Sequence, residues 1–321
     1  MPMADDPAIP SPTLPWVTLC ICTCQRPAGL ARLLDAVADL DWEGRLDVVV
    51  VDNDAAGEGI ALCRQRANGY RWRLTFDLEH RRGISFARNR AVTMALAQAP
   101  DFIAMLDDDE WPDRKWLKNL TSAQARTDAD AIGAPVLPVF DREPDDWTLH
   151  GRDCYGADLG LADGSRCMLY ACGNFMARRV CFERLAPDCF DPAFAFSGGE
   201  DYVFFRRLHE LGFRLHWSTQ AIVYEQVPTT RLGRDWVHRH MKLKGNIQIR
   251  MFRLYDPTLP QEAWRWVKTC GLIATGTARY LAGLFHRPTR IRAALTLARA
   301  LGRIQGHLGR TLNRPDHIEG I

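Results

Sequence analysis

WVTLCICTCQRPAGLARLLDAVADLDWEGRLDVVVVDND, residues 16–54, decides the fold. Two apolar, β-rich runs, residues 16–22 and 46–52, end in polar residues and flank a helix-like stretch over 29–40. That alternation is a βαβ unit. The same pattern continues downstream, with a helical stretch over 60–68, a strand over 71–78, a helix over 85–98 and the strand FIAML over 102–106. The first half therefore reads as an open, mostly parallel α/β sheet.

Ligands of such sheets sit beyond the carboxyl ends of the strands, which singles out three polar clusters: residues 23–27, 52–54 and 107–109. No G-x-G-x-x-G or G-x-x-x-x-G-K-[ST] follows any of these strands, so phosphate would have to be held without a glycine-rich cradle. Further candidate strands lie over 131–140, 169–177, 213–217 and 221–225, with a helix opening at Glu200. The remainder is basic and helical in pattern.

The whole chain has 321 residues, 47% hydrophobic and 25% charged, an ordinary globular composition that excludes disordered and fibrous classes. Residues 1–15 lack a basic region followed by an apolar one, so they read as a loose tail and not as a secretion signal. Ten cysteines show neither Cys-x-x-Cys nor zinc spacing, and read as buried thiols of a reducing compartment. The net charge of +2 conceals an asymmetry. Residues 1–227 hold 24 Lys and Arg against 34 Asp and Glu, whereas residues 228–315 hold 17 against 3. An acidic front and a basic rear suggest a catalytic unit followed by a segment that meets something anionic.

Asp107, Asp108 and Asp109 end an apolar strand, and three adjacent carboxylates repel one another unless a cation or hydrogen-bond donors offset the charge. A hard divalent ion, Mn²⁺ or Mg²⁺, with nucleotide phosphates is one offset, with Asp107 towards a ribose and Asp109 on the metal. A solvated acidic turn leading into Trp111 and Pro112 is the other reading. The stretch RRGISFARN, residues 81–89, places Arg88 near a helix start, where it either meets a diphosphate or lies on a helix surface. FSGGEDYVFF, residues 196–205, sets two glycines and two carboxylates at the mouth of a helix whose inner face would be Phe205, Leu208 and Leu211. Asp201 there is a candidate general base; alternatively Glu200 and Asp201 only complement the helix dipole.

These motifs together resemble glycosyltransferase family 2, with its GT-A fold, over residues 17–236, nearest to bacterial exopolysaccharide enzymes of the succinoglycan type. TCQRP (23–27) and VDND (51–54) are similar to the turns that surround donor base and ribose in the family; GISFARN (83–89), LDDD (106–109) and GGED (198–201) match closely. Three departures stand out: Cys24 replaces an aromatic residue, Asn53 an aspartate, and Glu225 stands where many relatives carry a metal-binding histidine. The segment RLGRDW (231–236) only partly resembles the signature of processive synthases, which implies one sugar per encounter.

The resemblance implies a metal-dependent, inverting transferase in which Asp201 is the base and Asp109 and Glu225 hold Mn²⁺ or Mg²⁺. Thr23, Gln25, Asp52, Asp54, Arg88, Asp107, Asp108, Gly199, Glu200, Arg231 and Arg234 would contact substrates. It implies a catalytic domain over 16–227, with a donor half over about 16–110 and an acceptor half over about 111–227, then a basic helical region over 228–321 that associates with membrane. The donor would be a nucleoside diphosphate sugar, most simply a UDP-sugar, and the acceptor a polyprenyl diphosphate-linked saccharide at the anionic inner leaflet. Nucleic acid is not an expected partner, and the expected location is cytoplasmic and peripheral to the membrane.

Two other classes stay in view. A sugar nucleotidyltransferase also uses an α/β sheet with metal-binding aspartates, though the missing glycine-rich loop speaks against it. A noncatalytic membrane or nucleic-acid binding module would use the basic rear but leave the carboxylate motifs unexplained. Within that rear, residues 271–285 are apolar, interrupted by Arg279 and shorter than the ~20 residues a spanning helix needs, so they are expected to lie on a membrane or against the catalytic domain. In the next segment Arg292, Arg299, Arg303 and Arg310 fall in one helical stripe opposite Leu297, Leu301, Ile304 and Leu308, which predicts a helix lying in the plane of a membrane, the alternative being a core-packed helix with a solvated arginine face.

Overall fold

The computed structural model describes residues 14–313 apart from Asp256, so most of the expected tail lies outside the described residues. Its opening βαβ unit follows the sequence closely. Strand β1 (Val17–Thr23) leads into helix α1 (Pro27–Ala38) and strand β2 (Leu46–Asp52), and β1 and β2 pair in parallel with Thr23 opposite Asp52. Proline in the first turn suits α1, because its missing N–H needs no partner there. Leu30, Leu33, Leu34 and Val37, spaced for one helical face, are fully buried against the sheet.

Helix α2 (Glu58–Ala67), strand β3 (Arg73–Leu78), helix α3 (Ile84–Leu96) and strand β4 (Phe102–Asp107) continue the alternation. Strand β5 (Glu110–Pro112) and helix α4 (Trp116–Thr127) follow. The expected strand over 131–140 is two strands in different sheets, β6 (Ala131–Gly133) and β7 (Val136–Phe140). Helix α5 (Asp146–His150) comes next, and only the end of the expected strand over 169–177 is regular, as β8 (Phe175–Arg178). Helices α6 (Arg179–Glu183) and α7 (Glu200–Glu210) precede the short strands β9 (Leu215–Trp217) and β10 (Val223–Val227).

Among the described residues the main sheet has seven strands in the order β3-β2-β1-β4-β8-β6-β9, with β8 antiparallel to both neighbours. A second sheet, β5-β10-β7, branches from the end of β4. Asn174 stitches the two sheets where β8 begins. It donates to the carbonyls of Pro135 (2.8 Å) and Ala221 (2.7 Å) and accepts from the Trp116 indole (2.8 Å). Side chains of α1 and α4 fill one face of the sheet; α3 and a cluster of Phe175, Phe182, Phe190, Phe204 and Phe205 fill the other. Helix α7 buries Val203, Phe204, Phe205 and Leu208, while Leu211, expected inside, lies at its end and is exposed.

None of the ten cysteines is bonded to another; six are buried and only Cys270 is exposed. Burial pushes the Cys63 thiol up to about 12.

The rear is helical. Helices α8 (Arg234–Tyr255), α9 (Leu259–Ala282) and α10 (Arg287–His307) form a layer in which α10 packs on both others. Their anchor to the front is an apolar cluster of Tyr155, Val227, Trp236, Val237, Ile291 and Leu295. Gly302 lets the backbones of α8 and α10 touch, since a Cβ there would lie 1.8 Å from the carbonyl oxygen of Lys242. Among the described residues no helix is long and apolar enough to cross a membrane.

Helix α10 keeps the two expected faces only in part. Arg303 is 5% exposed and points inward, whereas Leu301 and Leu308 face outward. Ala293, Ala298, Ala300, Gly302 and Gly306 allow this, because a small-residue surface packs tightly without large apolar side chains.

Candidate active site

The carboxyl ends of β1, β2 and β4 lie side by side, with Cys22 opposite Asp107 and Thr23 opposite Asp52. The triplet that follows β4 divides in three directions. Asp108 is buried and accepts from the Thr23 hydroxyl (2.8 Å) and from Arg26 (3.1 Å). Burial raises its carboxyl to about 6 despite Arg26. Asp109 accepts from Arg26 (2.8 Å) and pairs with Arg231 (3.1 Å). Asp107 is the most open of the three and accepts from Arg88 (2.9 Å).

A second acid layer lies beneath. Glu110 and Glu225 are opposite each other in β5 and β10. Glu110 is buried and accepts from the backbone N–H of Asp107 (2.9 Å), a packing possible because residue 173 is glycine: a Cβ there would lie 2.1 Å from the glutamate oxygen. Burial raises Glu110 well above the usual carboxylate range. Glu225 accepts from Gly156 N–H (2.8 Å) and Arg231 (3.1 Å), and burial with the charge of Asp109 moves it up to about 7.

One guanidinium, that of Arg231, thus contacts both Asp109 and Glu225, so these two carboxylates face a common position suited to a cation. Two hard oxygen donors with phosphate oxygens are an ordinary set for Mg²⁺ or Mn²⁺. The chemistry of the donor set fits such an ion, although among the described residues no group of three or more acidic, His or Cys side chains is arranged to hold one unaided.

Arg88 is placed otherwise than either sequence reading had it. It is 5% exposed, and its guanidinium joins Asp107 (2.9 Å) at the end of β4 to Glu200 (2.7 Å) at the start of α7. The charge of Asp201 also acts on it. The neighbouring motif residues do similar work: Ser85 donates to the carbonyl of Asp191 (2.9 Å), and Asn89 exchanges two hydrogen bonds with Phe190 (both 2.8 Å). The motif GISFARN therefore ties α3 to residues 190–200, with Arg88 joining the end of β4 to the start of α7. Glu200 is fixed on Arg88 and buried, while Asp201, the next residue, is less buried and its carboxylate accepts from Tyr202 N–H (2.7 Å). Gly199, at φ 103°, makes the left-handed turn into α7, in which the two consecutive residues point in different directions.

The remaining predicted residues fall into two groups. Gln25 donates to Asp54 (3.0 Å), and Arg82 reaches the same carboxylate (3.4 Å) and the Cys24 sulfur (3.0 Å). Asp52 differs: it is 1% exposed and accepts from Asp54 N–H (3.0 Å) and Gly59 N–H (2.9 Å), which serves the start of α2. This leaves Asp54, not Asp52, as the carboxylate of that turn held only by long, movable side chains. Arg234 is not drawn in; it is exposed and lies over the Trp147 ring at 5.5 Å. Arg26 and Glu110 were not singled out from sequence. Arg26 had a signal, its place between a strand end and a helix-starting proline; Glu110 had none, because its burial depends on Gly173, 63 residues away.

Asn53 explains its own departure from the usual aspartate. Its amide donates to the carbonyls of Glu79 (2.9 Å) and Arg81 (2.8 Å) and accepts from Gly83 N–H (2.8 Å). A carboxylate has no N–H to give those carbonyls.

Residues 18–186 match the profile of Glycosyl transferase family 2. The succinoglycan biosynthesis protein ExoM of Rhizobium meliloti (strain 1021) is 31% identical over 249 residues, covering 76% of this chain and 77% of that protein. Among solved structures, the mannosyltransferase PcManGT from Pyrobaculum calidifontis, in complex with GDP-Man and Mn²⁺, superposes with a TM-score of 0.58 at 18% identity, over 93% of this chain and 90% of that one. S. aureus TarS 1–349 in complex with UDP gives 0.53 at 15% identity, over 95% of each chain. The shared architecture is GT-A, as the sequence motifs implied.

Proposed function

The chain belongs to glycosyltransferase family 2, and on that premise we propose that it is an inverting, metal-dependent transferase moving a sugar from a UDP-sugar to a lipid-linked saccharide. The setting we propose is exopolysaccharide or cell-surface polysaccharide synthesis, at the inner face of the plasma membrane.

One observation carries the reading: Arg88 holds Asp107, at the end of β4, and Glu200, at the mouth of α7, at 2.9 and 2.7 Å. The β4 end is where a donor diphosphate would lie in an open α/β sheet. The α7 mouth carries Asp201. The buried bridge supports a site in which a donor and an acceptor-activating carboxylate meet at a fixed separation.

In the proposed reaction Asp201 takes the proton from the acceptor hydroxyl, whose oxygen attacks the anomeric carbon as the bond to the diphosphate breaks. Configuration inverts, and an α-linked donor gives a β product. Asp109 and Glu225 would hold the divalent ion, which when bound offsets the charge of the departing diphosphate. Arg26 and Arg231 are cationic groups already beside those carboxylates and can follow the diphosphate charge as it develops. Thr23 fixes Asp108, and Gln25 and Asp54 line the turn proposed to meet the donor's base and ribose.

The relatives support donor and metal in kind, since one solved neighbour carries GDP-Man with Mn²⁺ and another UDP. The test is a screen of nucleotide sugars for hydrolysis and transfer with Mn²⁺ and with Mg²⁺. Turnover of a UDP-sugar that stops on chelation supports the proposal; turnover only without metal, or release of pyrophosphate, overturns it.

A further inference from the structure

Helix α9 turns polar groups inward beside half-buried Trp266, Leu272 and Ile273. Its buried face carries Arg265 and Thr269, with Glu262 beside them: Thr269 accepts from Arg303 (2.9 Å), and Glu262 pairs with His307 (2.8 Å) and Arg265 (3.3 Å). Its outer face carries Trp264, Val267, Gly271, Ala274, Ala278 and Leu281, all exposed, spaced alternately by three and four residues. That spacing is a single stripe on a helix. From Trp264 to Leu281 it runs for about 26 Å at the helical rise per residue. Beyond the helix end the stripe continues into Leu284 and Phe285, the latter fully exposed.

The outer stripe, with Trp264, Val267 and Leu281 on either side of small residues, gains nothing from water. What covers that face is indicated by charge. Residues 257–313 hold nine Lys and Arg and one acid, Glu262, whose carboxylate is already engaged inside. Lys268 and Arg279 flank the stripe on its exposed edge, and Arg287, which pairs with Asp146 (3.0 Å), Arg290, which donates to the Leu284 carbonyl (3.4 Å), and Arg292 follow Phe285. A second copy of this chain laid against the stripe would bring these cations together. An anionic lipid surface would meet them with opposite charge and take up the apolar stripe.

We propose that α9 and the Leu281 to Phe285 tip form a monotopic docking face for anionic bilayers, with the helix lying in the interface plane. The biological purpose rests on the proposed lipid-linked acceptor; the docking itself does not. Trp264, Leu281 and Phe285 enter the boundary between headgroups and acyl chains, and the basic edge meets phosphates. This places the membrane contact on α9 and not on the arginine stripe of α10, whose Arg303 is buried.

The experiment is sedimentation of the full chain with vesicles of phosphatidylglycerol and phosphatidylcholine, or of phosphatidylcholine alone. Proteins compared are wild type, the triple variant Trp264→Ser, Leu281→Ser, Phe285→Ser, and a control, Leu301→Ser with Leu308→Ser on α10. Expected is salt-sensitive binding of wild type and control to anionic vesicles only, reduced by roughly tenfold or more in the triple variant. Equal binding by the triple variant, or binding indifferent to lipid charge, overturns the proposal. So does a wild-type dimer that the triple variant converts to monomer with no vesicle binding by either. Hydrolysis of nucleotide sugar in solution, measured on the same proteins, reports separately on the catalytic reading: its absence in all three would count against that reading and leave the docking result standing.

Discussion

Arg88 in the sheet-bearing front and Arg303 in the helical rear are each 5% exposed, yet their surroundings have opposite electrical character. Arg88 lies between two carboxylates, Asp107 and Glu200, with Asp201 near. Arg303 is held by neutral oxygens, those of Thr269 (2.9 Å), Gln248 (3.0 Å) and the Arg265 backbone (3.3 Å). Burial and then the charges of Arg299 and Arg265 hold its guanidinium below the usual value. In the front, buried charge fixes the distance between two elements that bear chemistry; in the rear, the cation is held by dipoles and, among the described residues, is without a counter-charge.

The largest effect expected in the front is on Asp201→Asn, which should keep donor binding but lower kcat by roughly 10² to 10⁴, as loss of a general base does. Near-normal turnover would remove Asp201 from that role and with it the chemical meaning of the Arg88 bridge. Next comes Arg88→Met. Breaking the buried pair with Glu200 leaves that carboxylate uncompensated, at a cost of about 3–5 kcal/mol in urea unfolding. Asp109→Ala comes third: calorimetry should show that UDP binding no longer responds to Mn²⁺, with affinity reduced by about tenfold or more.

Arg303→Met sets the other side of the comparison. Removing a cation from among like charges, with only neutral hydrogen bonds lost, should change unfolding by no more than about 1 kcal/mol. A cost as large as that of Arg88→Met would erase the distinction drawn between the two regions. The smallest effect is a pH dependence. The folded chain holds Glu225 at about 7, above its ordinary 4.5, so the protonated form favours folding. That contribution is present below the ordinary value and is lost as pH rises through about 7. Metal-free protein should therefore melt about 2 °C higher at pH 6 than at pH 8, and Glu225→Gln should flatten the difference.

The front was legible because its strands are continuous apolar runs ending in polar residues, and βαβ order follows from them. The site was legible to the level of motifs but not of contacts. Arg88 has the sequence setting of a phosphate ligand; only the fold brings Glu200, 112 positions later, against it. The second sheet escaped because β5 is three residues long and takes its partner from residues 223–225. In the rear the inward turn of Arg303 was not legible, for a physical reason. Periodicity locates two faces of α10 but cannot say which is inside when the tight face is made of Ala and Gly, and α9 hides polar groups that a hydrophobicity rule sends outward.

Asn53 bears on how this chain could be engineered. A consensus design would revert it to the aspartate of the related turn, a change of one atom type. Its two donors hold the carbonyls of residues 79 and 81, and its acceptor the N–H of Gly83, so the reversion would free the loop that leads into α3. The residue and that loop form one inheritable unit. A chimera that borrows the donor turn from a relative would have to borrow residues 79–83 with it, or lose the alignment of α3 on which the Arg88 bridge depends.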